Sequence, residues 1–137
     1  KDEINPEEIS ILDAPPGTSC SMVAAIRKSD YALLVTEDSP FGLHDLELAV
    51  DVVRDLEVPF SVFINREEEE NQQVRPWCEQ RNIDVIGALP YSEDVARAYS
   101  RGESVVEALP EYRKLFLDVF RDINKRIAVP GQQGGIS

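Results

Sequence analysis

The sequence has few cysteines and a single histidine, and these low counts exclude several kinds of site. Only Cys20 and Cys78 occur among the 137 residues, too far apart to indicate a disulfide framework or an iron–sulfur cluster. No nucleophile and base pair is recognisable around His44, so a catalytic triad is not expected. We expect both cysteines to be small buried side chains and the compartment to be the reducing cytoplasm.

Basic residues and long apolar runs are also scarce. The chain has 14 Lys and Arg against 26 Asp and Glu, a formal net charge of −12, which disfavours a nucleic-acid partner because such surfaces need clustered cations. It has no apolar run of about 18 residues and no signal-peptide pattern, so no membrane span is expected. A hydrophobic content of 42% suffices for one core. We predict one domain over residues 1–129 and a flexible, aperiodic tail over 130–137.

What the chain does have is an alternation of short apolar runs with segments of helical period. This pattern is typical of an α/β fold in which helices cover both faces of a parallel sheet. We predict a partial sheet of about four strands, over residues 9–12, 31–36, 60–64 and 85–89. Helices are predicted over residues 43–56, near 74–80 and over about 111–127, each with an apolar stripe that packs on the core.

The run Ile11-Leu-Asp-Ala-Pro-Pro-Gly-Thr18 places an acidic residue at the end of the first predicted strand. Asp13 closes the strand, two prolines and Gly17 form a tight turn, and Thr18 or Ser19 can cap the next helix. Ligands of open α/β sheets bind beyond the carboxyl ends of strands, where helix N-termini offer N–H groups to anions. The run therefore suits a metal-bound phosphate, although an ordinary strand-turn-helix connection fits it too.

Further motifs follow in the order found in one family. The chain resembles the MinD/ParA/Mrp-like P-loop ATPases, and among them the branch with an inserted ferredoxin domain, from Ile9 to about Phe120. The segments that carry the resemblance, besides the run above, are SDYALLVTEDSPFGLHDL from Ser29, FINR from Phe63, GALPYS from Gly87 and AYSRG from Ala98.

The phosphate-binding loop of that family does not occur in this sequence. No Gly-x-x-x-x-Gly-Lys-[Ser/Thr] run is present, and the chain starts at Lys1 without an initiator Met. We therefore interpret the chain as the C-terminal portion of a longer ATPase, in which the glycine-rich loop and the ferredoxin insert, with any iron–sulfur cluster, would lie upstream.

The resemblance implies a role at the phosphates for the first motif. It implies that Asp13 acts on the attacking water or on the Mg²⁺ shell, contacting the metal through water. The N–H of Gly17 would meet the γ-phosphate, since a residue without a side chain lets the backbone approach. Thr18 is a candidate for the same site or only a helix cap.

The later motifs imply an adenine pocket. Asn65 lies where the family's asparagine reads the adenine ring with an amide donor and acceptor, and Arg66 stands beside it. Pro90 would line the pocket together with Leu89, although a proline that merely ends a strand explains it nearly as well. We assign no catalytic role to Glu37 or Asp38, and Asp38 stands where relatives often have proline.

The implied function is Mg-ATP binding and slow hydrolysis by a nucleotide-gated homodimer in the complete protein. The ferredoxin branch suggests an iron–sulfur or redox partner. Without the glycine loop and its lysines, this chain alone should be inactive. Two alternatives remain open: a non-catalytic interaction domain that kept the scaffold, and a small flavodoxin-like or receiver-like domain.

Overall fold

The computed structural model describes residues 9–14 and 19–128, which form alternating helices and strands. The elements in chain order are α1 (Cys20–Arg27), β1 (Ala32–Glu37), α2 (Pro40–Asp55), β2 (Phe60–Glu67), α3 (Val74–Gln80), β3 (Val85–Pro90), α4 (Glu93–Ser100), α5 (Val105–Ala108) and α6 (Glu111–Ala128). The predicted α/β class is confirmed. The predicted tail and the turn over residues 15–18 lie outside the described residues.

Three parallel strands form the sheet, in the order β1-β2-β3. Ala32 lies opposite Phe60, and the register continues without a shift to Glu37 opposite Asn65. Between β2 and β3 the register shifts twice, so that Asn65 lies opposite Leu89 and Glu67 opposite Pro90. Because all three strands run the same way, their carboxyl ends meet at one edge of the sheet, as a ligand site of an open α/β sheet requires.

The predicted strand over residues 9–12 is not a strand in the structure. Its residues pair with no strand in the described part of the chain, and Ile11 is 81% exposed. A run of apolar residues becomes a buried strand only when a neighbour supplies hydrogen bonds and covering side chains. Since no described strand lies beside these residues, the described sheet has three strands rather than about four.

One face of the sheet is covered by α2 and α3. Leu46 and Val50 of α2 pack with Val62 and Ile64 of β2, together with Val74 and Cys78 of α3 and Ile83. A neighbouring cluster joins Met22 and Ile26 of α1 to Ala32 and Val53. Alternate residues of β2 face this layer, as the two-residue period of a strand dictates.

The other face is covered by α4 and α6. Phe63 packs there with Leu89, Val95 and Val119, and its ring stacks on that of Phe116 at 6.0 Å between centroids. Gly87 lets α6 lie close to β3, because a Cβ at this position would come within 2.7 Å of Val119 Cγ2. The predicted stripe of α6 is therefore mainly core, and the three-layer arrangement is present.

Local capping explains where the helices begin. The Ser19 side chain accepts a hydrogen bond from the Met22 N–H and caps α1, as one of the two predicted candidates. The Ser39 hydroxyl accepts from the Gly42 N–H, and Pro40 occupies the first turn, so α2 begins three residues before the predicted start. None of the helices in residues 19–128 combines the length and apolar character that crossing a membrane requires.

Candidate functional site

The carboxyl ends of β2 and β3 bring together three of the predicted site residues. Asn65 is half-buried at the end of β2, next to the exposed Arg66, and Pro90 ends β3 beside them. Arg66 has a φ of 58°, and its guanidinium carbon lies 5.4 Å from the centroid of the Tyr91 ring. The left-handed backbone conformation places the register shift at this residue and is unusual for a non-glycine residue. The edge therefore presents the Asn65 amide and the Arg66 guanidinium, and the guanidinium lies over the Tyr91 ring.

A buried carboxylate fixes the loop that follows β2. Asp38 Oδ1 accepts hydrogen bonds from the N–H groups of Gln73 at 2.8 Å and Val74 at 3.0 Å, and Oδ2 accepts one from Glu68 at 3.0 Å. The side chain is only 7% exposed, so these bonds replace the water that the carboxylate loses. They tie the start of α3 and the loop after Asn65 to the end of β1.

Two further contacts hold the same loop. The Arg75 Nε donates to Glu67 Oε2 at 2.7 Å, and this hydrogen bond raises the pKa of Arg75. The Tyr91 N–H donates to the carbonyl of Glu67 at 3.0 Å, which links the residue after β3 to the end of β2. The end of β2, which carries Asn65 and Arg66, is thus anchored both to α3 and to the residue after β3.

Asp13 lies apart from this group. It is exposed and lines a cleft of about 1170 Å³ beside the free edge of β1, together with Thr36 and Glu37 of that strand. Since β1 separates this cleft from β2, Asp13 and Asn65 lie on opposite sides of β1. Gly17 and Thr18, the other predicted phosphate residues, lie outside the described residues, so the structure groups Asn65, Arg66 and Pro90 but does not join Asp13 to them.

The turn between β1 and α2 is held tightly against the sheet. The Thr36 hydroxyl donates to the carbonyl of Gly42 at 2.9 Å. A side chain at Gly42 would collide with the carbonyl oxygen of Glu37, so this position requires glycine. The close approach fixes the N-terminus of α2 at the carboxyl end of β1, between the Asp13 side and the Asn65 side of the edge.

The donor groups in the described ranges do not form a preassembled metal centre. No three His, Cys, Asp or Glu side chains within residues 9–14 and 19–128 lie close enough to hold an ion. Cys20 is exposed in α1, contrary to the expectation that it is buried, because the first residue of the helix points away from the Met22 and Ile26 face. Cys78 is buried as expected, and burial raises its pKa to about 11.

Sequence reasoning missed the part that Asp38 plays in this site. Its hydrogen-bond partners are 30 to 36 residues away along the chain, so no local pattern reveals them. The only local signal is an acidic residue directly after a buried strand. Four glutamates follow Arg66 in the sequence, a pattern typical of a solvated loop, but the structure divides them: Glu67 belongs to β2 and pairs with Arg75, whereas Glu68, Glu69 and Glu70 are exposed.

Comparison with known proteins places this geometry in a known fold. No protein-family model matches the chain. A solved structure of the MinD cell division protein of Aquifex aeolicus superposes with a TM-score of 0.65 at 18% identity, over 82% of this chain and 51% of that one. An uncharacterized protein of Methanocaldococcus jannaschii is 31% identical over 100 residues, which are 73% of this chain and 34% of that protein. The chain thus has an α/β fold like that of the MinD cell division protein, and it spans about a third of the length of the Methanocaldococcus relative.

Proposed function

We propose that this chain forms part of the nucleotide-binding domain of a MinD-like ATPase, and that ATP binding and hydrolysis belong to a longer polypeptide. The observation that carries the proposal is the grouping of Asn65, Arg66 and Pro90 at the carboxyl ends of β2 and β3, within a MinD-like fold. The alternative of a flavodoxin-like or receiver-like domain offers no separate explanation for this grouping.

In this proposal the Asn65 side chain reads the adenine base. An amide can donate to a ring nitrogen and accept from an exocyclic amine, so one residue distinguishes adenine from guanine. Arg66, held over Tyr91, and Pro90 bound the base on either side. The hydrogen bonds that Asp38 accepts from the loop backbone and the pair between Glu67 and Arg75 hold these residues in place, so little conformational entropy is lost when the base binds.

The phosphate half of the site is proposed for the Asp13 motif. Carboxylate oxygens suit Mg²⁺, which keeps most of its waters and needs few protein ligands, so a single exposed Asp13 fits a contact through water. Bound Mg²⁺ would neutralise phosphate charge. Asp13 would orient the attacking water, and Gly17 and Thr18 would donate to the phosphates. Slow hydrolysis and a nucleotide-gated homodimer are proposed for the longer protein.

An iron–sulfur or redox partner also remains a proposal for the longer protein. The two cysteines of this chain do not fit a cluster, because Cys78 is buried in α3 and Cys20 is exposed in α1. A cluster with four thiolates needs clustered cysteines from elsewhere. Any such role therefore rests on residues outside this chain and not on the site described above.

Nuclear magnetic resonance titration of the purified chain tests the adenine site directly. We expect adenosine and Mg-ATP to shift the amide signals of Asn65, Arg66 and Leu89, and we expect Asn65→Ala to abolish these shifts. The matched control is Asn82→Ala, an exposed asparagine in the loop before β3. If millimolar adenosine leaves the three signals unchanged, the base-binding role of this edge is wrong and the non-catalytic interaction domain becomes the better description.

Calorimetric titration with Mg-ATP tests the phosphate half. We expect weak binding that Asp13→Ala reduces by at most a few fold, since the lysines of a Walker A loop do not occur in the sequence. Phosphate release by the chain alone should stay at the background rate. Hydrolysis that depends on Asp13 in the isolated chain would contradict the proposal that a longer polypeptide is needed.

A further inference from the structure

One extra residue interrupts the hydrogen-bond ladder at the end of β2. Arg66, with a φ of 58°, lies at the register shift between Asn65 and Glu67. The Tyr91 N–H donates to the carbonyl of Glu67 at 3.0 Å, whereas an uninterrupted parallel ladder would offer it the carbonyl of Arg66. Arg66 is therefore the bulged residue of the strand.

The bulge changes the direction in which the last side chains of β2 point. In a regular strand successive residues alternate between faces, so Arg66 would lie on the face that α2 and α3 cover and Glu67 on the other. Instead Glu67 Oε2 accepts a hydrogen bond from Arg75 of α3 at 2.7 Å, and the Arg66 guanidinium reaches the Tyr91 ring. The extra residue thus returns Glu67 to the α3 side and leaves Arg66 beside Asn65 at the carboxyl edge.

The backbone conformation at Arg66 is one that arginine does not favour by itself. Four non-glycine residues in the described ranges have a positive φ, and Arg66 is the one inside a strand, while Glu57, Asn71 and Asn82 lie in turns or bends. A Cβ crowds the backbone in this conformation, so it is uncommon for residues other than glycine and asparagine. Because such a residue persists only where its surroundings hold it, neighbouring contacts must maintain the bulge.

Asp38 makes a contact that depends on the extra residue. Its Oδ2 accepts a hydrogen bond at 3.0 Å from the N–H of Glu68, which follows Arg66 by two residues. Loss of the bulge would move Glu68 along the strand by one residue, or roughly 3.3 Å, and would break this bond. Since Asp38 is only 7% exposed, water would not readily replace the lost partner. The hydrogen bond therefore favours the bulged form of β2 over the regular one.

We propose that Asp38 is a positioning residue, whose hydrogen bond from the Glu68 N–H keeps the extra residue in β2 and so places Arg66 beside Asn65 for the base. The two carboxylate oxygens then have different roles, because Oδ1 holds the start of α3 and Oδ2 fixes the bulge. The effect on binding rests on the proposed base site, whereas the effect on the backbone at Arg66 does not, so the two can fail separately.

Asp38→Asn separates the roles of the two oxygens. The amide orientation that keeps both bonds at the start of α3 turns its NH₂ group toward the Glu68 N–H, and two donors cannot bond. We expect the fold to persist and the bulge to be lost. Nuclear magnetic resonance without nucleotide measures this, because scalar coupling across a hydrogen bond identifies the acceptor. The acceptor of the Tyr91 N–H should change from the carbonyl of Glu67 to that of Arg66.

A second substitution tests whether the unfavourable φ is the reason that the bulge needs Asp38. Glycine adopts a positive φ without steric cost, so the double variant Asp38→Asn/Arg66→Gly should regain the bulge. Its Tyr91 N–H should again couple to the carbonyl of Glu67. Glu70→Gln, which changes an exposed carboxylate in the same loop, is the matched control and should couple like the unaltered chain.

Adenosine affinity tests whether the bulge serves the base site. We expect Asp38→Asn and Arg66→Ala each to weaken adenosine binding about tenfold, since both remove the guanidinium from the base. The double variant Asp38→Asn/Arg66→Ala should also bind about tenfold more weakly, rather than about a hundredfold, because both changes remove the same contact. A role of Asp38 in stability alone would make the two effects multiply.

Two results would overturn the proposal. One is a Tyr91 N–H that still couples to the carbonyl of Glu67 in Asp38→Asn, since the bulge would then not need Asp38. The other is a hundredfold loss of adenosine affinity in Asp38→Asn/Arg66→Ala, since the two residues would then act independently. If the acceptor changes as expected but the unaltered chain does not bind adenosine, the proposed base site is wrong and only the effect of Asp38 on the backbone stands.

Discussion

The two sides of β1 differ in how completely this chain supplies hydrogen-bond partners and apolar contacts. On the β2 side the loop after the strand is held by specific contacts: Asp38 accepts three backbone hydrogen bonds, and Glu67 pairs with Arg75. On the cleft side the strand edge is open, and Val35 and Phe41 are largely exposed. The difference teaches that the end of β2 is held in place by contacts within the chain, whereas the free edge of β1 has no strand partner among residues 9–14 and 19–128.

The comparison predicts that stability resides on the β2 side. Ile64 is fully buried, and Ile64→Ala should lower the free energy of unfolding by about 4 kcal/mol, since it leaves a cavity that the sheet cannot close. Val35→Ala, on the open edge of β1, should change it by less than about 0.5 kcal/mol. Urea denaturation measures both. A large loss from Val35→Ala would mean that the open edge is covered in solution.

Asp38→Ala should give the next largest effect. It leaves three N–H groups without their acceptor, that of Val74 fully buried, and we expect a loss of about 3 kcal/mol in the free energy of unfolding. Amide exchange at Gln73 and Val74 should accelerate, while the amides of α6 keep their protection relative to global unfolding. Glu70→Ala, an exposed carboxylate in the same loop, is the matched control. Equal stability of both variants would show that Asp38 does not anchor the loop.

The raised pKa of Cys78 predicts how the free energy of unfolding depends on alkaline pH. Burial raises its pKa to about 11, above the value near 9 of an unfolded thiol. The folded state therefore holds the proton more tightly, and this contribution is complete below pH 9 and is lost as the pH rises to about 11. It amounts to about 3 kcal/mol. Denaturation of the unaltered chain and of Cys78→Ala across this range should give curves that converge. Parallel curves would contradict the shifted pKa.

The smallest effect on stability should come from a substitution in the cleft beside the free edge of β1. Phe41→Ser should leave the urea midpoint unchanged within about 0.5 kcal/mol, because the ring is 85% exposed. It should nevertheless reduce the fluorescence of a bound hydrophobic dye, since the cleft beside the free edge of β1 loses apolar surface. Leu48→Ser serves as the control outside the cleft. If both variants reduce dye fluorescence equally, the cleft beside β1 is not the main apolar surface that binds the dye.

The elements that could be predicted from the sequence are those decided by local pattern. The helix near residues 74–80 and the C-terminal helix have clear apolar stripes, and the structure has them as α3 and α6. The prediction of a strand over residues 9–12 was wrong. An apolar run forms a strand only beside another strand, and none of the described strands lies beside these residues. Local pattern alone could not distinguish the two cases.

The candidate site also contains residues that the sequence could locate and one that it could not. The sequence motifs locate Asn65, Arg66 and Pro90, and the parallel register places them side by side. Asp38 could not be predicted, because its partners are brought to it by the crossover between β2 and α3. The roles of Asp13, Gly17 and Thr18 stay predictions, since they concern a ligand and a turn that the described residues do not include.

The packing of α6 over Gly87 has a consequence for the order in which the chain matures during synthesis. α6 follows all three strands, yet its Val119 and Phe116 cover Phe63 on the second face of the sheet. A ribosome that has made β3 has therefore produced a sheet with one bare apolar face. Because translation adds only a few residues each second, that face stays uncovered for a second or more, on the order of the time needed for α6 to emerge.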